Sequence, residues 1–359
     1  MDEKKRFLIL RFRCIGDVIL ATTICETLKK NFSGCQVDIV VYPFTAEVLK
    51  NNPYIDNVIV IAPEWKGVIK KTLPSLRFAR QQDYDYCIDL KNDTKSYLFA
   101  KLSGAKKLVT HETQRSKKRF YDILVKEDPN FLIESNAPRA VRSHLHLLTA
   151  IKKELIYTTD YKIHLSENEI EKTRTFLIKQ GIDFSRPLFF CAPISSDAYK
   201  QWPLNYFTEV FNHCIEKYDA QLIACPAPNE FETALSLKAT FIKPESYQVF
   251  SGLTLRDVPR LAKLSQLYLG NDGGSCHMAI AVGTPSITIF SPCVPYWDWS
   301  MSGDSRHVAV TLQDALSITR KEYEQILKTK SEKELIKLYP KITPQLVIKK
   351  LDTLYGEIK

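Results

Sequence analysis

The constraint that bears hardest on this chain is a rhythm of short apolar runs. Stretches rich in Val, Ile, Phe and Tyr recur along it, separated by amphipathic segments. A run that is apolar throughout, rather than alternating, reads as a strand buried on both faces, and such strands joined by helical crossovers form parallel sheets. The runs predict strands near residues 6–12, 37–42, 57–61, 86–90 and 106–110, and a second set near 188–192, 221–225, 247–250, 267–271, 285–290 and 307–311. Helical spacing fills several of the gaps, as at Tyr206, Val210, Phe211 and Cys214. The fold class is therefore α/β, with two successive parallel-sheet units.

The length of 359 residues agrees, because a domain takes roughly 100–200 residues. Residues 139–183, between the two strand sets, read as mostly helical and charged, and Ser166-x-x-Glu169 has the spacing of a capping box. The linker therefore falls close to 160–170, with a first domain over 1–165 and a second over 166–330. Beyond residue 312 the strands stop. Leu335, Leu338, Val347, Ile348, Leu351 and Leu354 keep helical spacing, and Thr343-Pro344 suits a helix start, so 331–359 is expected to be a helical tail. The sequence has no repeat of 20–50 residues, which excludes solenoids and propellers.

Fifty Lys and Arg against 41 Asp and Glu leave a net charge of +9, and residues 101–120 alone hold seven basic residues and one Glu. Such a window points to an anionic partner. Nucleic acid is disfavoured, because no aromatic platform interleaves the window beyond Phe120 and Tyr121. The nine cysteines lie mostly in apolar segments and include no Cys-x-x-Cys pair, which argues against zinc and against a disulfide framework and fits a reducing compartment. Only a run of four apolar residues, Phe7 to Leu10, precedes Arg11, too few for a signal-peptide core, and nowhere do roughly 18 apolar residues run together. The expectation is a soluble, cytoplasmic protein. His144 and His146, two apart on a predicted helix, do not readily share a metal.

Three loops at predicted strand ends carry the candidate chemistry. The first is Cys14-Ile15-Gly16-Asp17, leading straight into a helix, where Asp17 is either a helix cap or a reactive carboxylate. The second runs from Ala192 to Pro203, with Ser195, Ser196 and Lys200 placed to hold phosphate oxygens. The third is Gly270-Asn271-Asp272-Gly273-Gly274-Ser275-Cys276-His277, a glycine turn opening a helix, where freed N–H groups suit a diphosphate. It is not a Gly-x-Ser-x-Gly elbow, and Cys276 and His277 on one helix point to different faces, which speaks against a nucleophilic dyad.

Taken together, these loops resemble glycosyltransferase family 9, the lipopolysaccharide heptosyltransferases. Gly16 and Asp17, within Arg11 to Thr22, match its first signature; Lys200, Trp202 and Pro203 match Gly-x-x-x-x-Lys-x-Trp-Pro. Asp272, Gly274, His277, Ala281, Gly283 and Pro285 match Asp-[Ser/Thr]-Gly-x-x-His-x-x-x-Ala-x-Gly-x-Pro, and Phe290-Ser291-Pro292 with Pro295 and Trp297 resembles a further segment. The likeness spans roughly residues 6–300. It implies a GT-B fold: two Rossmann-like lobes facing a cleft, the first for the acceptor and the second for the nucleotide sugar, with a C-terminal helix that returns to the first lobe.

The implied reaction moves a heptose from ADP-heptose to a lipopolysaccharide inner-core or related acceptor with inversion. Asp17 would be the general base and Lys200 would stabilise the leaving diphosphate. Ser195, Ser196, Asp272, Gly273, Gly274, Ser275 and His277 would surround the donor, with Glu230 at the ribose. Gly16, Lys117, Lys118 and Arg119 would meet an anionic glycolipid acceptor, with peripheral contact to the inner face of the inner membrane. No metal or other cofactor is implied; Asp83-Tyr84-Asp85 is a metal-type tripeptide, but it precedes a strand of the first lobe. An exposed aspartate with the ordinary pKa of about 3.9 is ionised at neutral pH and takes a proton only as the acceptor oxygen forms its bond. The chain departs from the pattern at Ser195, where Gly is usual, and at Gly273, where Ser or Thr is usual. Those positions leave room for another nucleotide-hexose donor or for a non-catalytic relative; a nucleotide-sugar epimerase of the same two-lobe architecture is a rival against which the basic window speaks.

Overall fold

Each of the apolar runs becomes a parallel strand, and most of these strands are buried. The structure is a computed structural model describing residues 4–63, 68–113, 120–135, 137–301 and 303–358. It divides into two units, residues 1–164 and 165–359. In the first, β1 (Arg6–Leu10), β2 (Gln36–Val41), β3 (Asn57–Val60), β4 (Tyr86–Asp89), β5 (Lys107–His111) and β6 (Ile123–Val125) form one sheet in the order β3-β2-β1-β4-β5-β6. β1 sits centrally, with Leu10 opposite Val40 on one side and Asp89 on the other, and Phe7 to Leu10 are fully buried.

In the second unit, β7 (Leu188–Ala192), β8 (Gln221–Ala224), β9 (Tyr247–Val249), β10 (Leu267–Asn271), β11 (Ser286–Ile289) and β12 (His307–Val310) are ordered β12-β11-β10-β7-β8-β9. Read from the other edge, this is the strand order of the first unit. Both sheets are parallel throughout, so each unit gathers the carboxyl ends of its strands along one edge. β6 is the strand the apolar runs did not predict.

The helix Glu167–Lys179 opens the second unit through the expected capping box, Ser166 N–H donating to Glu169 Oε2 at 2.9 Å. The same carboxylate accepts from Arg256 Nε at 2.9 Å and pairs with Arg260, and these partners hold it well below the usual carboxylate range. The tail differs from the expectation that it returns to the first lobe. Its last helix, Pro344–Ile358, buries Val347, Leu351, Leu354 and Tyr355 in the core of the second unit, against the helix Leu204–Tyr218 and β12. Asp352 fixes the seat, 2.7 Å from both His213 Nε2 and Lys217 Nζ and accepting from Tyr218 Oη at 2.6 Å. Trp202 and Tyr339 tie the preceding segment in, the indole N–H donating to Ile342 O at 2.9 Å and the phenol to Lys200 O at 3.1 Å. Leu351→Ala is expected to lower stability by about 2–5 kcal/mol in urea unfolding; a loss under about 1 kcal/mol would show that the tail is not part of this core.

Candidate active site

The second unit brings its sequence-predicted residues together. β7 and β10 are sheet neighbours, so the loop carrying Ser195, Ser196 and Lys200 lies beside the loop carrying Asp272 and Gly273. Lys200 Nζ stands 3.0 Å from Asp272 Oδ2, with Asp272 buried and the lysine side chain one-fifth exposed. Burial pulls the Lys200 ammonium down from its ordinary value, and the Asp272 carboxylate, by charge and hydrogen bond, pushes it up by more, so the lysine stays charged. Asn271 ties the two loops, accepting from Trp202 N–H at 3.1 Å and donating to Pro193 O at 2.9 Å. Gln201 donates to the carbonyls of Pro193 and Trp202 and accepts from Ser195 N–H at 2.8 Å.

Gly270 is required by close approach, since a Cβ there would meet Ala192 O at 2.6 Å and Tyr268 Oη at 2.8 Å. Gly273 is not: it is extended, and a Cβ would have nothing within 4 Å, so the missing hydroxyl is a chemical difference and not a steric one. The helix Gly274–Ala281 begins at the next residue, and its first N–H groups have no partner within the helix. Ser275 Oγ lies 3.2 Å from Tyr268 Oη. His277 is buried with its ring against Trp299, whereas Cys276 Sγ reaches Thr288 Oγ1 at 3.0 Å, so the two do face apart. Glu230 ends the short turn Pro228–Glu230 beyond β8, the strand on the other side of β7, and accepts from Ala227 N–H at 3.1 Å. Ser196 is exposed and Ser195 half-buried.

In the first unit Asp17 is not the helix cap. It is the third residue of the helix Ile15–Asn31, whose cap position is Cys14 with no side-chain cap, and it is buried rather than exposed. Its carboxylate pairs with the Arg11 guanidinium, and Arg13 Nε approaches the second oxygen at 3.5 Å. The physical reason is that a carboxylate taken out of water needs a charged partner. Arg11 is itself buried and also donates to Leu90 O; burial pulls its pKa below the ordinary value and Asp17 opposes that shift. Gly16, beside it, is buried.

The sequence reading gave no role to Arg11, Asp89 or Lys91. Asp89 closes β4 buried, pushed up by burial, and accepts from Tyr121 Oη at 2.7 Å and from the N–H groups of Lys91 and Asn92 at 2.9 and 3.0 Å. The signal was there: an Arg and an Asp directly after, or closing, apolar strands. His144 lies on the helix Arg139–His146, which packs on Ile15–Asn31; its ring is buried, Nδ1 has no hydrogen-bond partner, and burial, then the Arg11 charge, holds it well below the usual histidine value. Lys117, Lys118 and Arg119 fall outside the described residues. Asp85 of the metal-type tripeptide is occupied at the amino end of β4, 2.8 Å from Lys106 Nζ and accepting from Arg6 N–H.

Two Rossmann-type units in one chain, each with its strand ends gathered at one edge, have the architecture of the GT-B fold. The family model described as Glycosyltransferase family 9 (heptosyltransferase) matches residues 75–326, and the chain belongs to that family. It is 23% identical over 283 residues to lipopolysaccharide heptosyltransferase 3 of Escherichia coli K12, covering 77% of this chain and 79% of that one. Among solved structures it is similar to a family 9 glycosyltransferase from Veillonella parvula, with TM-score 0.81, 19% identity and 99% of each chain covered. It is also similar to E. coli heptosyltransferase WaaC with ADP-2-deoxy-2-fluoro heptose, at TM-score 0.62 and 18% identity over 81% of this chain and 90% of that one.

Two outcomes test this geometry. Gly270→Ala is expected to cost on the order of 1–3 kcal/mol, and Gly273→Ala less than about 0.5 kcal/mol, in thermal melts; equal costs would contradict the close approach. His111 and His144 are both held below the ordinary histidine value, with burial the largest cause. Each therefore binds a proton less readily folded than unfolded, so stability is full above the unfolded value of about 6.5 and falls as pH drops below it, by up to about 1.4 kcal/mol per unit per histidine. Melting temperature against pH reads this, and a His144→Leu variant should show the shallower slope. An identical slope would mean that the ring is hydrated.

Proposed function

We propose that this chain transfers a heptose from ADP-heptose to a hydroxyl of a lipopolysaccharide inner-core or related anionic glycolipid acceptor, with inversion at the anomeric carbon. The observation that carries the reading is the charged, partly exposed Lys200 held by Asp272 beside the glycine turn that opens Gly274–Ala281. As the bond from the anomeric carbon to the diphosphate oxygen breaks, negative charge grows on the leaving group. The Lys200 ammonium and the helix N–H groups meet that charge without having to reorganise. Ser195, Ser196, Gly273 and Ser275 contact phosphates and sugar, Glu230 the ribose hydroxyls, and His277 supports the turn. ADP as the nucleotide is supported by the ADP-sugar ligand of the WaaC structure.

The first unit takes the acceptor. The acceptor hydroxyl gives its proton to Asp17 while its oxygen bonds to the anomeric carbon on the face opposite the diphosphate, which inverts the centre. Arg11 and Arg13 fix the two carboxylate oxygens, and Gly16 and the basic residues Lys117, Lys118 and Arg119 are assigned to binding the acceptor. The nine cysteines are free thiols, which supports a cytoplasmic location.

Calorimetric titration with ADP, UDP and GDP tests the donor half: ADP is expected to bind, and a preference for UDP or GDP would move the donor to a hexose. Asp17→Asn is expected to slow transfer by about 10²–10⁴ with ADP affinity kept within about twofold, and unchanged turnover would remove the base assignment. Melting curves accompany this variant, since it leaves Arg11 buried without its carboxylate. Lys200→Ala is expected to weaken ADP binding by about tenfold or more and slow transfer as well; equal ADP affinity in variant and parent would refute the diphosphate role.

A further inference from the structure

We infer that Tyr339, in the C-terminal tail, is a positioning residue of the donor site: its buried phenol holds the backbone of Lys200 from behind, so that the ammonium meets a diphosphate already in place. The inference rests on the proposed diphosphate role of Lys200. It adds to that role a part of the chain lying past residue 326, where the match to the family model ends.

Lysine carries its charge on a flexible four-carbon stem, so where that charge stands depends first on where the backbone is held. The short turn Ala198–Lys200 has no buried residue of its own, and nothing within it seats that backbone in the core. Tyr339, 139 positions later, supplies the seat. Its ring is 3% exposed and lies in the same core cluster as Trp202 and Ile342. Its hydroxyl donates to Lys200 O at 3.1 Å, and Ile289 O, at the end of β11, stands 3.4 Å away. The Ile289 carbonyl also accepts from Asp272 N–H at 3.1 Å. One hydroxyl therefore stands between the backbone of Lys200 and that of Asp272, whose side chains meet at 3.0 Å.

The residues flanking the lysine are held from the same side. Ser291 Oγ donates to Tyr199 O, and the Trp202 indole N–H donates to Ile342 O at 2.9 Å. The Tyr339 phenol stays a donor throughout, because burial and then the Asp272 charge hold it well above the ordinary tyrosine value. Docking of the tail has a polar seat elsewhere, where Asp352 accepts from Tyr218 Oη and meets His213 and Lys217. A loop fixed before the ligand arrives has less freedom to lose on binding, and its charge need not reorganise. Tyr339→Phe keeps the ring in the core and leaves Ile289 O its bond from Asp272, so the variant takes a donor from Lys200 O alone.

The test is calorimetric titration of ADP into the parent, Tyr339→Phe, Lys200→Ala and the double variant, with Tyr218→Phe as a matched control that removes a phenol hydroxyl from the tail's other seat. Tyr339→Phe is expected to weaken ADP binding by about three- to tenfold, and Tyr218→Phe by less than about twofold, although both lose a hydrogen bond. In the Lys200→Ala background the effect of Tyr339→Phe should shrink to less than about twofold, since no ammonium is left to position. A Tyr339→Phe loss of equal size with and without Lys200, or one matched by Tyr218→Phe, would mean that the hydroxyl serves stability alone and overturns the inference. If Lys200→Ala binds ADP as the parent does, the diphosphate reading fails and this inference with it. If Lys200→Ala is weak while Tyr339→Phe binds as the parent does, this inference alone fails.

Discussion

A parallel sheet delivers the carboxyl ends of all its strands to one edge, and the candidate chemistry of both units hangs from that edge. In the second unit the loops after β7, β8 and β10 are far apart in the chain, yet β10-β7-β8 is a run of direct neighbours. The sheet therefore brings the loops that carry Ser195 and Lys200, Glu230 and Asp272 to neighbouring strand ends. The close approach of β10 to β7 is possible because Gly270 offers no side chain to the Ala192 carbonyl. Asn271 then ties the two loops to each other, and Gln201 braces the loop that carries Lys200 from within.

The first unit solves a different problem, that of keeping a carboxylate buried. Asp17 is out of water, and Arg11, equally buried, supplies the compensating charge while reaching to the Leu90 carbonyl at the end of β4. That geometry links β1, the helix Ile15–Asn31 and β4 through one guanidinium. A planar fork can span them; an ammonium, a single point charge, cannot. The pair fixes the direction in which the carboxylate points. His144, neutral and buried nearby, adds no competing positive charge.

Much of this was legible in the chain. The apolar runs located eleven strands because burial on both faces leaves an unbroken hydrophobic signal. β6 escaped because Ile123–Val125 is only three residues between Asp122 and Lys126, and its strand character comes from pairing with Val109 to His111. The last helix was visible from its stripe and from Thr343-Pro344, but a stripe says only that something covers it. Its place in the second unit follows from Asp352 meeting His213, Lys217 and Tyr218, contacts more than 130 positions apart.

The site divides in the same way. Local order along the chain determined which residue types stand at strand ends: the glycine turn, the lysine loop, and the Gly16-Asp17 helix start. Those features depend on backbone geometry within a few residues, and a sequence carries that directly. Only the tertiary structure decided that Lys200 pairs with Asp272, that Gly270 is required and Gly273 is not, and that Asp17 is a buried partner of Arg11 instead of a cap. Each of these depends on how closely distant strands approach and on how much water is left between them, quantities that no stretch of the chain holds by itself.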